Sequence, residues 1–533
     1  MSGRMYAPTR YARAAMVSSV DAGATAAGVE LLRRGGSAVD AAIGANAVLA
    51  VVAPQLCGMG GDLWALVHDG SGGPPACLDA SGFAGSGASA ARVRAQGHAR
   101  IPLRGHIASV TVPGTVDGWL ALHDRFGRLE LGVVLDAAVM AAEDGFAASA
   151  SLAAAAPRVA DVAHNTDIPG DLRPGTVVRR PGSARSLTAI AERGRDGFYD
   201  GEFGEALLAL GEAANPDGTP EYRDDDLRRP IARWVDPLRI EALGRLLWTS
   251  PPSSQGYLTL AGAWIADGLA LPPTDDGDWA HLLVEAASQA AFDRHQVLHD
   301  LADGQVLLDP ARLAPRRAAI DPDQASNVAA PVGAGDTTYL CAVDSAGMAV
   351  SLINSNASGF GAHLVAGSTG IFLHDRGIGF SLVEGHCAQY APGRRPPHTL
   401  SPALVTRTDG SLAQVLGTMG GDAQPQILLQ LLTRLLQLGQ SPGAAVSAPR
   451  WTLGPVGDDA GFSTWLPGTT RQVRVEDPAT GWHTALAAKG HNVTVAAGDP
   501  SSFGHAHIVA VTEHGTLAGA ADPRALTGAA FGH

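Results

Sequence analysis

The sequence predicts a layered α/β fold to which both halves of the chain contribute. Three observations carry this. The chain opens on two capped helices followed by a strand. At Thr337 the pattern changes from helices and polar excursions to successive short strands. A long helical segment then returns near 425–438, so strand and helix patterns occur on both sides of Thr337.

The elements follow in order. Asp21 can cap a helix over GATAAGVELLRR, which Gly35-Gly36 ends. Ser37 can cap the next helix, AVDAAIGANAVLAVV, which stops before Pro54. This second helix is apolar nearly all round and should be buried. A glycine loop, CGMGGD, leads into the strand LWALVHD. Helical periodicity recurs at 131–142 and 279–291. Segments 158–186 and 213–233, rich in Pro, Gly, Arg and Asp, read as surface excursions. Residues 327–336 (NVAAPVGAGD) have linker composition and end directly before TTYLCAV. TTYLCAV and MAVSLIN flank Asp344-Ser345-Ala346-Gly347 as a hairpin. Further strands are expected at 403–407, 413–417 and 506–511.

Composition excludes several classes. The 533 residues are 46% hydrophobic and 17% charged, enough to bury a sizeable core. The net charge of −14 and the lack of a basic run argue against a nucleic-acid partner. Cys57, Cys77, Cys341 and Cys387 form no C-x-x-C pair, so they read as buried free thiols rather than a metal or redox site. The start lacks the apolar stretch of a secretory signal. The most apolar run, 38–54, holds Asp40 and Asn46 and is too short to span a bilayer. A soluble, cytoplasmic protein without a membrane partner is expected.

Thr337 stands where a linker meets a strand. A threonine hydroxyl is a weak nucleophile unless a base is close, and an N-terminal threonine carries one in its own α-amine. That amine titrates at roughly 7.7–8.0. Cleavage between Asp336 and Thr337 would create this arrangement. By itself the pattern also fits an ordinary linker-to-strand threonine. If Val343 pairs with Met348, Thr337 falls opposite Asn354, and Ser355 sits one step away where its hydroxyl can orient the nucleophile. Downstream, GTMGGDAQPQ (417–426) joins a strand to a helix. Gly420 and Gly421 allow a tight turn whose backbone N–H groups suit an oxyanion hole, or simply a strand-to-helix turn.

The order DTTY, GxAVS, FG, VAGxxGI, RP, LSP and GTMGG resembles the catalytic half of the γ-glutamyltranspeptidase family. LRRGGSAVDAA, CGMGGD, PGTVDGW and SPPSSQG resemble its N-terminal signatures, in family order. The resemblance implies the four-layer αββα sandwich of N-terminal-nucleophile hydrolases. It implies self-cleavage into a large chain, 1–336, and a small chain, 337–533, that stay packed as one structural domain. It implies Thr337 as nucleophile, Ser355 in place of a threonine that hydrogen-bonds it, and Gly420 and Gly421 as the oxyanion hole.

Departures concern the substrate. The family's arginine for the substrate α-carboxylate follows an aspartate in a D-x-R segment, and here the segment is Asp79-Ala80-Ser81. Gly379 stands at an acidic position that meets the α-amine, and Ala357 replaces an asparagine ligand. His398 and Thr399 replace two serines. Several charge-assisted contacts of about 1.5–3 kcal/mol each are therefore absent. HDRGIGFSL, PGRRPPHTLSP and GTMGGDAQPQ resemble a bacterial branch of the family that includes oxamate amidohydrolases. The expected function is hydrolysis of a small amide, one that can bear a carboxylate, through a threonine acyl-enzyme, with water or an amine as acceptor. Arg376, His398, Thr399 and Arg395 are candidate substrate contacts. The arginines read equally well as solvated surface charges, and His398 as a structural histidine. Alternatives are a γ-glutamyl hydrolase or transferase acting on glutathione-like donors, a β-lactam side-chain (cephalosporin) acylase, and an inactive homologue that binds.

Gly439-Gln440-Ser441-Pro442-Gly443 matches G-x-S-x-G but follows a helix, and Pro442 lacks the needed N–H, so it reads as a turn. His295 and His299, like His505 and His507, make only weak metal patterns. With no Walker or dinucleotide fingerprint, no cofactor and no metal are expected. The associated large and small chains can form a further homo-oligomer.

Overall fold

A computed structural model describes residues 6–215, 217–326, 337–455, 471–496 and 500–533. Two seven-stranded antiparallel sheets form its centre. The first sheet runs, in order, Ala529–Gly532, Met16–Ser19, Thr338–Val343, Ala349–Ser355, Asp62–His68, Ala76–Ala80 and Arg233–Val235. The second runs Arg10–Ala12, Leu517–Ala521, Ala506–Val511, Leu412–Thr418, Ala403–Thr406, Arg245–Thr249 and Leu238–Ala242. Each sheet takes strands from both sides of Thr337.

Side-chain alternation builds the layers. In Thr338–Val343, Tyr339, Cys341 and Val343 face the layer between the sheets, beside Trp64, Leu404, Val415 and Val509. Leu340 and Ala342 face the opposite way, towards the helices Ala22–Arg33, Ala38–Val52 and Leu131–Glu143. Helices Tyr257–Asp267, Gly277–Ala290 and Gln424–Leu436 cover the second sheet's outer face. The result is the expected four-layer αββα sandwich. A central strand covered on both faces has no polar side, which is why TTYLCAV reads as a continuous apolar run.

The local chemistry behaves as the sequence suggests. The Asp21 carboxylate accepts from the N–H groups of Gly23 and Ala24, and Ser37 and Asp40 form a capping box. Gly417, in the second sheet, faces the Tyr339 ring so closely that a Cβ there would lie 2.2 Å from it. That close approach lets the sheets meet directly behind Thr337.

Four expectations are corrected. The hairpin register differs by one, with Val343 opposite Ala349 and Thr338 opposite Asn354. The cause is the turn: Asp344 N–H donates to Met348 O, and the Asp344 carboxylate accepts from the N–H groups of Ala346 and Met348. Gly347, at φ +83°, completes a three-residue loop, so Asp344 rather than Val343 pairs with Met348. The segments 158–186 and 213–233 are not wholly superficial. Arg180 is buried and donates to Ala50 O and Gly370 O, Tyr222 is buried, and a helix starts at Pro181. Cys387 is only half-buried, unlike the other three cysteines. The fourth correction concerns Arg376 and Arg395 and belongs to the site. Residues 327–336, including Asp336, lie outside the described residues.

Candidate active site

Thr337 sits at the head of the central strand and is buried. Its Oγ1 lies 3.0 Å from Ser355 Oγ, because the shifted register brings the end of Ala349–Ser355 directly beside it. Ser355 Oγ also accepts from Ala357 N–H at 2.8 Å. The Ser355 hydroxyl is thus held in place by backbone and can position the threonine oxygen.

Asp62, the last residue of the CGMGGD loop, pairs across the ladder with Ser355. It is fully buried and gathers three segments. Its Oδ2 lies 2.8 Å from His398 Nε2, 3.3 Å from His374 Nδ1 and 3.7 Å from Arg376 Nε, and its Oδ1 accepts from Gly82 N–H at 2.9 Å. Burial alone would raise the Asp62 pKa. The two imidazoles outweigh burial through charge and hydrogen bonds, and hold the carboxyl well below the usual range. His398 is pushed down to about 4 by burial and by Arg376, so it is neutral at pH 7. Leu400 N–H donates to its Nδ1, which leaves the proton on Nε2, facing Asp62.

Arg376 is no surface charge. It is 2% exposed, and its Nη1 donates to Thr399 Oγ1 at 3.0 Å. Its surroundings hold three carboxylates, Asp62, Asp375 and Asp422. Two of these have cations of their own: Arg104 lies 2.9 Å from Asp375, and Arg294 lies 2.9 Å from Asp422. Arg395 is not a surface charge either. It donates to Ser81 O and to Ile231 O and lies 3.6 Å from Asp79. Its guanidinium is therefore anchored beside the position where a D-x-R segment would carry its arginine.

Gly420 and Gly421 have φ of 139° and 56°, where side chains are disfavoured, and they lead into helix Gln424–Leu436. Gln255 ties them to the rest. Its Nε2 donates to Gly421 O at 3.0 Å and to Thr399 O at 3.2 Å, and its N–H donates to His398 O at 2.8 Å. One run of contacts thus connects Thr337, Ser355, Asp62, Arg376, Thr399, Gln255 and Gly421.

The structure therefore brings together Thr337, Ser355, His398, Thr399, Arg376 and Gly421, all singled out in the sequence, with Gly420 adjacent in the chain. Asp62, His374 and Gln255 were not singled out. Each lies inside a quoted signature (CGMGGD, HDRGIGFSL, SPPSSQG), and a lone acid closing a glycine loop was the available signal for Asp62. Ser441 caps the short helix Pro442–Ser447 and takes no part. His507 faces Ser18 from within the second sheet, 3.3 Å away.

Comparison with known proteins identifies the family. Residues 24–532 match the family model described as gamma-glutamyltranspeptidase. The chain is 37% identical to the oxamate amidohydrolase proenzyme of Klebsiella pneumoniae, over 96% of this chain and 97% of that one. It is 34% identical to the glutathione hydrolase-like YwrD proenzyme of Bacillus subtilis, over 96% of each. The crystal structure of a cephalosporin acylase from Bacillus halodurans superposes with a TM-score of 0.88 at 31% identity, covering 99% of this chain and 97% of that one. None of the helices described here is long and apolar enough to cross a membrane. With a family model spanning nearly its whole length, and relatives that are hydrolases and acylases, this chain is an amide-acting enzyme that belongs to the gamma-glutamyltranspeptidase family.

Proposed function

We propose that the chain cleaves itself between Asp336 and Thr337 into a large chain, 1–336, and a small chain, 337–533, and then hydrolyses a short amide bearing a carboxylate next to the scissile carbonyl, as in oxamate. The carrying observation is the run of contacts from Thr337 to Gly421, with buried Arg376 inside it. Because both sheets interleave strands from the two chains, the pair remains one structural unit after cleavage.

The released Thr337 α-amine takes the hydroxyl proton as Oγ1 attacks the amide carbonyl. Ser355 holds Oγ1 in line. The Gly420 and Gly421 N–H groups stabilise the oxyanion. Ammonia leaves with the proton, and water then cleaves the ester to regenerate Thr337. Arg376 and Thr399 receive the substrate carboxylate, with His398, neutral and held by Asp62, forming the pocket wall. Ser81 in place of the D-x-R arginine, and a relative named as an oxamate amidohydrolase, support this substrate class.

One observation favours a γ-glutamyl substrate instead. Arg395 reaches Ser81 from another segment and returns a cation to that position. Intact mass, ammonia release from oxamate and glutamate release from glutathione decide between the readings. Two fragments split before Thr337, with ammonia from oxamate and no glutamate or cysteinylglycine from glutathione, are expected. Turnover of glutathione alone would move the assignment to γ-glutamyl donors. Thr337→Ala should remain one inactive chain, and normal processing or turnover by it would overturn the nucleophile assignment.

A further inference from the structure

Far from Thr337 along the chain, a second cluster of ionisable groups lies buried under the helical layer. His281 and Glu285 stand one turn apart on helix Gly277–Ala290, and both are fully buried. His491 approaches them from the turn after helix Trp482–Ala488 and is 7% exposed. His281 Nδ1 lies 2.8 Å from His491 Nε2, and His491 Nε2 lies 3.9 Å from a Glu285 carboxylate oxygen. The three ligand atoms all fall within 4.8 Å of one another.

One nitrogen of the histidine pair is already set as a ligand. His281 Nε2 lies 2.9 Å from Asp321 O. A carbonyl can only accept, so Nε2 carries the proton and the Nδ1 lone pair accepts from His491 Nε2–H, whose proton moves to the other ring nitrogen or to solvent when an ion binds. A backbone carbonyl on the far nitrogen is the usual support of a metal-bound imidazole. Two imidazoles and one carboxylate match the preferences of zinc and its first-row neighbours.

We propose that His281 Nδ1, His491 Nε2 and the Glu285 carboxylate bind one divalent zinc-type ion. Bonds of about 2.0–2.1 Å in tetrahedral geometry would open the imidazole nitrogens from 2.8 Å to about 3.3 Å, a side-chain adjustment of half an ångström. The ion would join helix Gly277–Ala290, which precedes Thr337 in the chain, to His491, which follows it. The same place already holds the segment leading towards Thr337: Lys489 Nζ donates to Pro322 O, and Ala325 N–H donates to Lys489 O, each at 2.8 Å. The ion therefore acts as a structural clamp and has no part in the amide chemistry.

The test uses the full-length protein, stripped with EDTA and desalted. Titration with Co²⁺ should give visible d–d absorption of a low-coordinate N/O site, saturating at one equivalent. Zn²⁺ should abolish that absorption, remain bound at one per chain after gel filtration, and raise Tm. His491→Gln and Glu285→Gln should weaken Co²⁺ binding at least about 100-fold. The wild-type titration decides even if a variant fails to fold. No cobalt band together with less than a tenth of an equivalent of retained zinc would overturn the site. A band unchanged in both variants would overturn it equally.

Discussion

Arg376→Met removes the charge proposed to meet the substrate carboxylate while keeping a side chain of similar length. Two effects follow, and they can be separated. A guanidinium–carboxylate contact is worth about 1.5–3 kcal/mol, so kcat/KM for oxamate should fall roughly 10- to 150-fold. Folding suffers as well. Arg376 and Asp62 are both buried and 3.7 Å apart, and breaking a buried pair costs about 3–5 kcal/mol. Asp62 keeps His398 at 2.8 Å and His374 at 3.3 Å, which places the expected loss near the lower end, about 3 kcal/mol. The assay compares oxamate with oxamide, which has an amide where oxamate has its carboxylate. Both substrates see the same folded fraction, so their ratio cancels the stability effect. The ratio of kcat/KM values should drop at least about 10-fold. An equal loss on both amides would refute the assignment and make Arg376 a structural counter-ion.

Other outcomes are specific to neighbouring residues. Ser355→Ala removes the 3.0 Å contact to Thr337. It should slow both self-cleavage, followed by gel, and kcat by roughly 5- to 30-fold, the equivalent of about 1–2 kcal/mol, with little change in KM. Gly417→Ala drives a Cβ into the Tyr339 ring and should cost about 1–3 kcal/mol in urea unfolding; unchanged stability would mean that the sheets can separate there. Burial holds His398 at about 4 and His507 at about 3, below the 6.5 of an unfolded histidine. Between those values the unfolded chain binds more protons, so stability rises with pH. The contribution should be complete above pH 6.5 and vanish as pH falls towards 4 and 3, and flat urea midpoints from pH 7 to 4 would contradict it.

The sequence exposed the chemistry better than the electrostatics. Strands and helices around Thr337 were legible because turns and caps have local causes, as at Asp21, Ser37 and Gly347. The one-residue register difference arose because the Asp344 side chain replaces a backbone partner in the turn, a choice that apolar alternation does not reveal. Arg376 and Arg395 looked like surface charges because nothing in RGIGF or GRRPP announces burial. Their partners, Asp62 and Asp79, lie some three hundred residues earlier and meet them only in the folded sheets. Gln255 was hidden for the same reason, since its amide is read only through the backbone oxygens it joins.

The charge balance around Arg376 leads to one further consequence. Arg104 offsets Asp375 and Arg294 offsets Asp422, each at 2.9 Å, which leaves Arg376 facing Asp62. Within these three pairs guanidiniums and carboxylates cancel before substrate arrives, while Arg395 and the half-exposed Arg233 share Asp79 alongside. An oxamate carboxylate entering this buried space adds an uncompensated negative charge, and in low dielectric such a charge is costly unless a proton accompanies it. The Thr337 α-amine of the processed enzyme has, by its chemistry, a pKa of roughly 7.7–8.0, whereas His398 is already neutral at that pH. Oxamate should thus bind with uptake of about half a proton near pH 8, which the amine must release again before it acts as base, and oxamide with none. Calorimetry of the processed Ser355→Ala protein in buffers of different ionisation enthalpy, with the heat of its residual turnover subtracted, reads the number. Equal uptake for the two ligands would show that the charge at this site is balanced without a proton from the Thr337 α-amine.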